Sequence, residues 1–302
     1  MSKSTKWFLI ILGILAAIAI TFTAMVIYLV SESEERFETV TTGSGDKIAV
    51  IEIKGVITSS EDIVRQIKKY REQRSVTAIL LRVDSPGGGV VASQEMYEEV
   101  RKTRDQGKPV VVSMGALAAS GGYYVSCAAN RIVANRGTLT GSIGVISEFY
   151  QLEELLGKVG VDVKTIKAGK LKDAGSPTRK MTDADQKYFQ DLMDEVHVQF
   201  MNAVERERDL SHEHVVAIAD GRVYTGERAV ELGLVDTIGT YEDAIEITAQ
   251  IAGIEGKPSI VRERKRSGLL DGLTSSVASE LTSRAKELLE RPVLSYRFAA
   301  PE

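Results

Sequence analysis

Between residues 47 and 115 apolar runs and helical runs alternate, and this alternation limits the fold more than any other feature of the chain. KIAVIEIKG (47–55) is alternating and β-branched, as a strand requires. SSEDIVRQIKKYREQ (59–73) then places Ile63, Ile67 and Tyr70 on one helical face, with Ser59 or Ser60 as the N-cap. The strand TAILLRVD (77–84), a glycine turn, the helix VVASQEMYEEVRKTRDQG (90–107) and the strand PVVVSMG (109–115) follow. Successive strands separated by helices pair in parallel, with the helices as crossovers on the sheet faces. The expected fold class is therefore α/β.

The pattern continues with a small-residue helix from Ser120 to about Ala129 and the strands RIVANRG (131–137) and IGVISEFY (143–150). A helix QLEELLGKVG (151–160) and a strand VDVKTIKAG (161–169) come next. A long amphipathic helix runs from Thr182, its N-cap, to about Asp209, and two shorter helical segments cover 212–219 and 226–233.

The first thirty residues differ from the rest. From Trp7 to Val30 there is no charge, and a helix of that length spans about 36 Å, enough to cross a bilayer. Lys3 and Lys6 precede it, and Glu32, Glu34 and Glu35 follow it. The expectation is an uncleaved single-pass transmembrane anchor over 1–30, with a cytoplasmic N-terminus and the remaining chain on the outer side. Residues 31–46, polar and ending in Gly-Ser-Gly-Asp, read as a linker. Residues 47–257 read as the catalytic domain, and 258–302 as a basic and amphipathic segment with a tail. In that segment Leu270, Leu273, Val277, Leu281 and Leu288 recur at helical spacing.

Three stretches carry candidate chemistry. DSPGGG (84–89) follows a strand, and Gly87, Gly88 and Gly89 can turn successive N–H groups into one space, as an oxyanion needs. Its spacing fits neither a dinucleotide fingerprint nor a P-loop. ASGGYY (119–124) puts Ser120 at the start of a helix, either as a nucleophile or simply as an N-cap. Ser113 and Ser126 lie within a strand and a helix. KAGKLKDAGSPTRKMT (167–182) holds Lys167, Lys170 and Lys172. A buried lysine can accept a serine proton, whereas a solvated one cannot at neutral pH. Together the three stretches compose a Ser-Lys hydrolase constellation that dispenses with histidine.

Other chemistry is disfavoured. The net charge is −4 without a long basic stripe, so no nucleic-acid partner is expected. The single cysteine, Cys127, excludes an intrachain disulfide framework and a paired-cysteine zinc site, and is expected to be buried and inert. His212 and His214 lie two apart on a helix, facing different sides, and His197 is remote in sequence, so no metal site is expected.

With VDSPGGG, ASGGYY, TGSIGV (140–145), KDAGSPTRKMT and ADGRVYTG…AVELGLVD (219–236) in order, the sequence resembles the signal peptide peptidases of the bacterial SppA type over about residues 47–255. The resemblance implies a Clp protease/crotonase-like βαβ superhelical domain in the short, single-domain form. It implies Ser120 as nucleophile, Lys172 as general base and Ser142 as the group orienting that lysine. It places the oxyanion hole at the backbone N–H of Gly87 or Gly88 with that of Ser120 or Gly121. Gly175 stands where the family pattern has a larger apolar residue, which bears on packing rather than on chemistry. No metal or cofactor is implied. The implied partners are cleaved signal peptides in the membrane and other copies of the chain, in a ring-like homo-oligomer where one subunit's serine meets its neighbour's lysine. Two alternatives are a crotonase-like acyl-CoA enzyme, which needs neither the anchor nor the Ser120–Lys172 pair, and a catalytically silent membrane scaffold. The tail PVLSYRFAAPE (292–302), apolar with small residues, is expected to enter the substrate groove of its own or a neighbouring subunit and block it.

Overall fold

A computed structural model describes residues 36–41, 46–265 and 295–297, together with isolated positions between 5 and 21. The chain forms two units, residues 40–262 with 288–302 and residues 1–39 with 263–287. The expected anchor and the leucine-spaced segment after 268 lie almost wholly outside the described residues. Among the described residues no helix is long and apolar enough to cross a membrane. Of the smaller unit the clearest element is the strand β1 (Arg36–Val40).

The larger unit begins with β2 (Lys47–Lys54), α1 (Glu61–Glu72), β3 (Val76–Ser85), β4 (Gly87–Gly89), α2 (Val90–Asp105), β5 (Val110–Ala119) and α3 (Gly121–Ser126). It continues with β6 (Arg131–Ala134), β7 (Leu139–Gly141), α4 (Glu153–Lys158), α5 (Asp183–Arg208), α6 (His212–Ile218) and β8 (Val223–Thr225). The last elements are α7 (Gly226–Glu231), β9 (Thr237–Ile238), α8 (Tyr241–Ile251), β10 (Ser259–Lys265) and β11 (Ser295–Arg297).

The sheet order β10-β2-β3-β5-β6-β9 is parallel at every step, the arrangement expected of strand–helix alternation. Parallel strands with helices on both faces are buried on both sides, which explains the continuous apolar run Ala78–Leu81. On one face Ile51, Ile53, Ile79, Leu81 and Val112 join the larger core with Tyr97, Tyr124, Phe200 and Val204. On the other, Ile48, Val50, Leu80, Val111 and Val133 pack with Ala244 and Ala249 of α8. Each of these faces is dry, so the sheet is a rigid base for whatever its strand ends carry.

Two expected strands are not formed. Among the described residues, 143–150 make no more than a single bridge at Ile146 and 161–169 make no strand, since no described strand pairs with either. Val161 is 48%, Val163 45% and Ile166 92% exposed, so these β-branched residues show strand propensity with no pleated surface to fit. The region 143–182 is instead an arm of irregular backbone broken by α4. It rejoins the fold at Thr182, which caps α5 by accepting from the Asp185 N–H at 3.2 Å, while the Asp185 carboxylate accepts from the Thr182 N–H at 3.0 Å.

Candidate active site

The strand β5 runs past the expected end at Gly115 to Ala119, so Ser120 is the single residue between strand and helix. Its backbone sits at φ 52°, ψ −115°, a conformation that costs a non-glycine residue about 1–3 kcal/mol. Hydrogen bonds on both sides hold it there. Its N–H donates to the Gly141 carbonyl at 2.8 Å, and its carbonyl accepts from Tyr124 N–H at 2.8 Å. The Ser120 hydroxyl makes no capping bond to α3, so Ser120 is not an ordinary N-cap. The residue is nearly buried, at 1% exposure.

Ser142 follows directly on the same ladder. Ala119 pairs with Gly141 in the β5–β7 register, so Ser142 lies beside Ser120. Its φ is 50°, and its N–H donates to the Arg222 carbonyl at 2.9 Å. It lines a cavity of about 480 Å³ together with Val145, Met193, Asp194 and His197.

The glycine turn faces Ser120 from β4. The Gly87 N–H donates to the Ser85 hydroxyl at 3.1 Å, and the Gly89 N–H to the Ile57 carbonyl at 2.7 Å. The Ser120 N–H is likewise committed to Gly141. That leaves the N–H groups of Gly88 and Gly121, and they share one small space. A β-carbon on Gly87 would lie 2.5 Å from the Gly121 nitrogen. One on Gly121 would lie 3.1 Å from the Gly88 nitrogen and 2.5 Å from the Ser93 hydroxyl. Glycine is required at both places by this close approach of backbones.

A peptide carbonyl already occupies the space. The strand β11 pairs antiparallel with β4, setting Tyr296 opposite Gly88. A β-carbon on Gly121 would sit 3.1 Å from the Tyr296 carbonyl oxygen, and one on Gly87 would collide with it. Thus β4 has Ile57 on one edge and the tail on the other. The Tyr296 ring is fully buried, near-parallel to Tyr124 at 5.2 Å and tilted against Phe200 at 4.8 Å. Its hydroxyl donates to the Val196 carbonyl at 3.2 Å, and burial pushes its pKa up. Tyr124 lines this cavity, while its neighbour Tyr123 is core, donating to the Leu234 carbonyl at 3.0 Å.

The lysines lie elsewhere. Lys172, expected to be buried, is exposed, in a turn where its N–H donates to the Gly169 carbonyl at 3.2 Å. The arm packs toward the long helix only from Gly175, which lies close to Phe149 and Phe189, and leaves Lys172 outside that contact. Among the described residues no hydrogen bond or ion pair joins Lys172 to Ser120 or Ser142. Lys167 is bound to the Asp173 carboxylate and, at 3.0 Å, to the Lys170 carbonyl. Asp173 also accepts from Arg179 at 3.0 Å. Arg179 first and Lys167 second hold the Asp173 carboxyl down at about 2. Asp173 thus turns to these cations rather than to Lys172.

The remaining candidates are structural. Cys127 is buried and burial pushes its thiol up. Ser113 accepts from Arg82 at 2.7 Å, and the Ser126 hydroxyl donates to the Gly122 carbonyl at 2.6 Å. His212 pairs with Glu205 and His214 meets the Leu232 carbonyl, so they diverge. The sequence reading missed Tyr97, Val196 and Phe200, which complete the cavity around Tyr296. They lie on helices α2 and α5, and nothing in their local pattern distinguishes them from core residues.

The chain is similar to known peptidases. The model of peptidase family S49 matches residues 102–255, and that of Clp protease matches residues 31–146. A Synechocystis protein and a Methanocaldococcus jannaschii protein, each named "putative protease", are 45% identical over 215 residues and 44% over 187. These alignments cover 71% and 62% of this chain, and 77% and 60% of the relatives. An Enterococcus faecium relative named "putative signal peptide peptidase SppA" is 38% identical over 216 residues, 67% of this chain and 63% of that one.

Proposed function

Since the chain belongs to peptidase family S49 and is a serine peptidase, we propose that it cuts peptides by acyl transfer to Ser120. The observation that carries this reading is the Tyr296 carbonyl oxygen pressed close to Gly87 and Gly121, with Tyr296 opposite Gly88, beside a strained serine whose hydroxyl makes no hydrogen bond among the described residues. An extended substrate would add to the free edge of β4, as β11 does. Its carbonyl oxygen would take the Gly88 and Gly121 N–H groups as its oxyanion hole, Gly87 serving to bring the two together.

Lys172 is the general base of this reading, supplied by a neighbouring copy. Two features support that. Among the described residues the exposed Lys172 amine has no hydrogen-bond or ion-pair partner, and the arm displays Tyr150, Leu155, Val159 and Ile166 to solvent. Such an apolar display fits burial against another copy, in the ring implied by the family resemblance. The Ser142 hydroxyl oxygen would accept from the incoming lysine N–H and hold the amine toward Ser120.

The chemistry balances without a cofactor. Neutral Lys172 takes the Ser120 proton as the oxygen attacks the carbonyl carbon. The tetrahedral intermediate collapses, the C–N bond breaks, and the lysine's proton passes to the leaving amine. Water then adds to the ester, giving up a proton to the same lysine; the bond from the acyl carbon to the Ser120 oxygen breaks, that oxygen takes the lysine's proton back, and the acyl group leaves as a carboxylic acid. We assign as substrates the apolar signal peptides left in a membrane after cleavage, with the chain anchored by residues 7–30 and facing outward. The SppA-type relative and the uncharged N-terminal run support this. Fluorogenic apolar peptides test it: wild type should cleave, and Ser120→Ala and Lys172→Ala should not. Retained activity in Lys172→Ala would move the base to Lys170 or Lys167.

A further inference from the structure

Building on the reading of Lys172 as general base, we propose that Arg179 is the positioning residue of that base. It clamps the turn bearing Lys172 to the head of α5, and it keeps the adjacent Asp173 carboxylate from capturing the lysine amine.

The turn's own bonds are local. The Lys172 N–H donates to the Gly169 carbonyl at 3.2 Å, the Ala174 N–H to the Leu171 carbonyl at 3.1 Å, and the Ser176 N–H to the Asp173 carbonyl at 3.1 Å. They shape the turn without fixing its direction. Arg179 supplies that link. Its Nη2 donates to one Asp173 oxygen at 3.0 Å, and its Nε lies 3.0 Å from the other. Its Nη1 donates to the Asp185 carboxylate at 2.6 Å. One planar guanidinium thus holds the residue next to Lys172 along one edge and the first turn of α5 along the other, a geometry that a lysine cannot reproduce. Asp185 is a firm anchor. It is buried, at 3% exposure, and accepts from the Thr182 N–H at 3.0 Å and the Thr182 hydroxyl at 2.8 Å. Further along, α5 sets Val196, Phe200 and Val204 in the core.

The second role follows from charge. A base must be neutral to take the Ser120 proton, and a carboxylate beside an amine favours the ammonium instead. Residues adjacent in sequence do pair in this chain, as Arg104 does with Asp105 at 3.0 Å. Asp173 is withheld from Lys172 because Arg179 and Lys167 occupy both of its oxygens. From the helices that meet this part of the arm, Glu153 accepts from the Lys180 N–H at 2.9 Å and Asp185 from Arg179. On the face that would receive the base, the titratable groups sharing a cavity with Ser142 are Asp194, His197 and Asp220, and Asp220 is bound to Arg222 at 2.8 Å. All of these stay constant when Arg179 and Asp173 are varied.

The test uses the full chain and a fluorogenic apolar peptide. Log kcat against pH should rise to a plateau as the base loses its proton. In Arg179→Gln the midpoint of that rise should move up by about one pH unit, and the plateau should fall about ten-fold or more, with KM little changed. In Asp173→Asn/Arg179→Gln the midpoint should return to the wild-type position while the plateau stays low, because the carboxylate is gone and the clamp is still open. General damage to the arm would not be undone by a second loss of contacts. Arg179→Lys, which keeps the charge without the fork, should hold the midpoint and lower the plateau. Competitive labelling of the Lys172 amine with acetic anhydride, read by mass spectrometry across pH in a Ser120→Ala background, gives the same midpoints with no turnover needed. An unmoved midpoint in Arg179→Gln, a raised midpoint that persists in the double variant, or an unchanged plateau would overturn the assignment while Lys172→Ala remains silent. Activity retained in Lys172→Ala would instead sink Lys172 as the base, and the role of Arg179 with it.

Discussion

Ser120 spends stability on its conformation, with φ 52° enforced by bonds to Gly141 and Tyr124. Replacing it with glycine, which accepts positive φ freely, should raise the folding stability by about 1 kcal/mol. The same change should abolish hydrolysis, and thermal unfolding beside a peptidase assay reads both. A lower melting temperature for Ser120→Gly would mean that the strain is not real. Ser120→Ala should lower kcat by about 10³-fold or more, with folding intact. Gly121→Ala should reduce activity comparably for another reason, since its methyl would press on the Ser93 hydroxyl and the Gly88 N–H. The nucleophile candidate was legible because serine among small residues after a strand is an uncommon pattern. The choice of Gly88 and Gly121 over Gly87 and Ser120 as donors was not, because it depends on where each N–H is already spent. The Ser85 hydroxyl, which takes the Gly87 N–H, belongs to a residue with no signature of its own.

The tail β11 occupies the edge of β4 that a substrate would use. If it acts as an inhibitor, truncation after Pro292 should raise kcat/KM on short peptides by about ten-fold or more, because a tethered strand competes at high effective concentration. Unchanged kinetics would refute inhibition by the tail. The arm has a different sensitivity. Asp173 lies at about 2, held down chiefly by Arg179, below the ordinary aspartate value of about 3.9. A depressed carboxyl favours the folded arm above pH 4, and that contribution fades as the pH falls through 2. The Asp173 carboxyl followed by NMR should titrate near 2, and a midpoint near 4 would show that the Arg179 and Lys167 contacts do not form in solution. Strands and helices up to Ala119 were readable because period and burial agree there. The arm was misread as strands because Val161, Val163 and Ile166 have the right residue types but pair with no strand among the described residues. The helix α8 went unassigned, although its Thr240–Asp243 capping box is a readable start signal.

The assembled enzyme, on our reading, needs at least two copies to make one site. Mixing Ser120→Ala chains with Lys172→Ala chains before assembly should restore activity to about a quarter of wild type, since a quarter of random neighbour pairs join an intact serine to an intact lysine. A dyad formed within one chain would give no recovery. The α/β architecture was legible from the alternation of strands and helices alone, and the tail's apolar, small-residue composition pointed to the groove, whereas the register that sets Tyr296 opposite Gly88 was not legible, because contacts so distant in sequence leave no periodic trace. That pairing also has an optical consequence. Two tyrosine rings held near-parallel at 5.2 Å in a fully dry cavity are coupled chromophores in a chiral setting. Withdrawal of the tail separates them, so the near-ultraviolet circular dichroism of the unmodified protein should register the vacancy of the site directly, before any bond is cut.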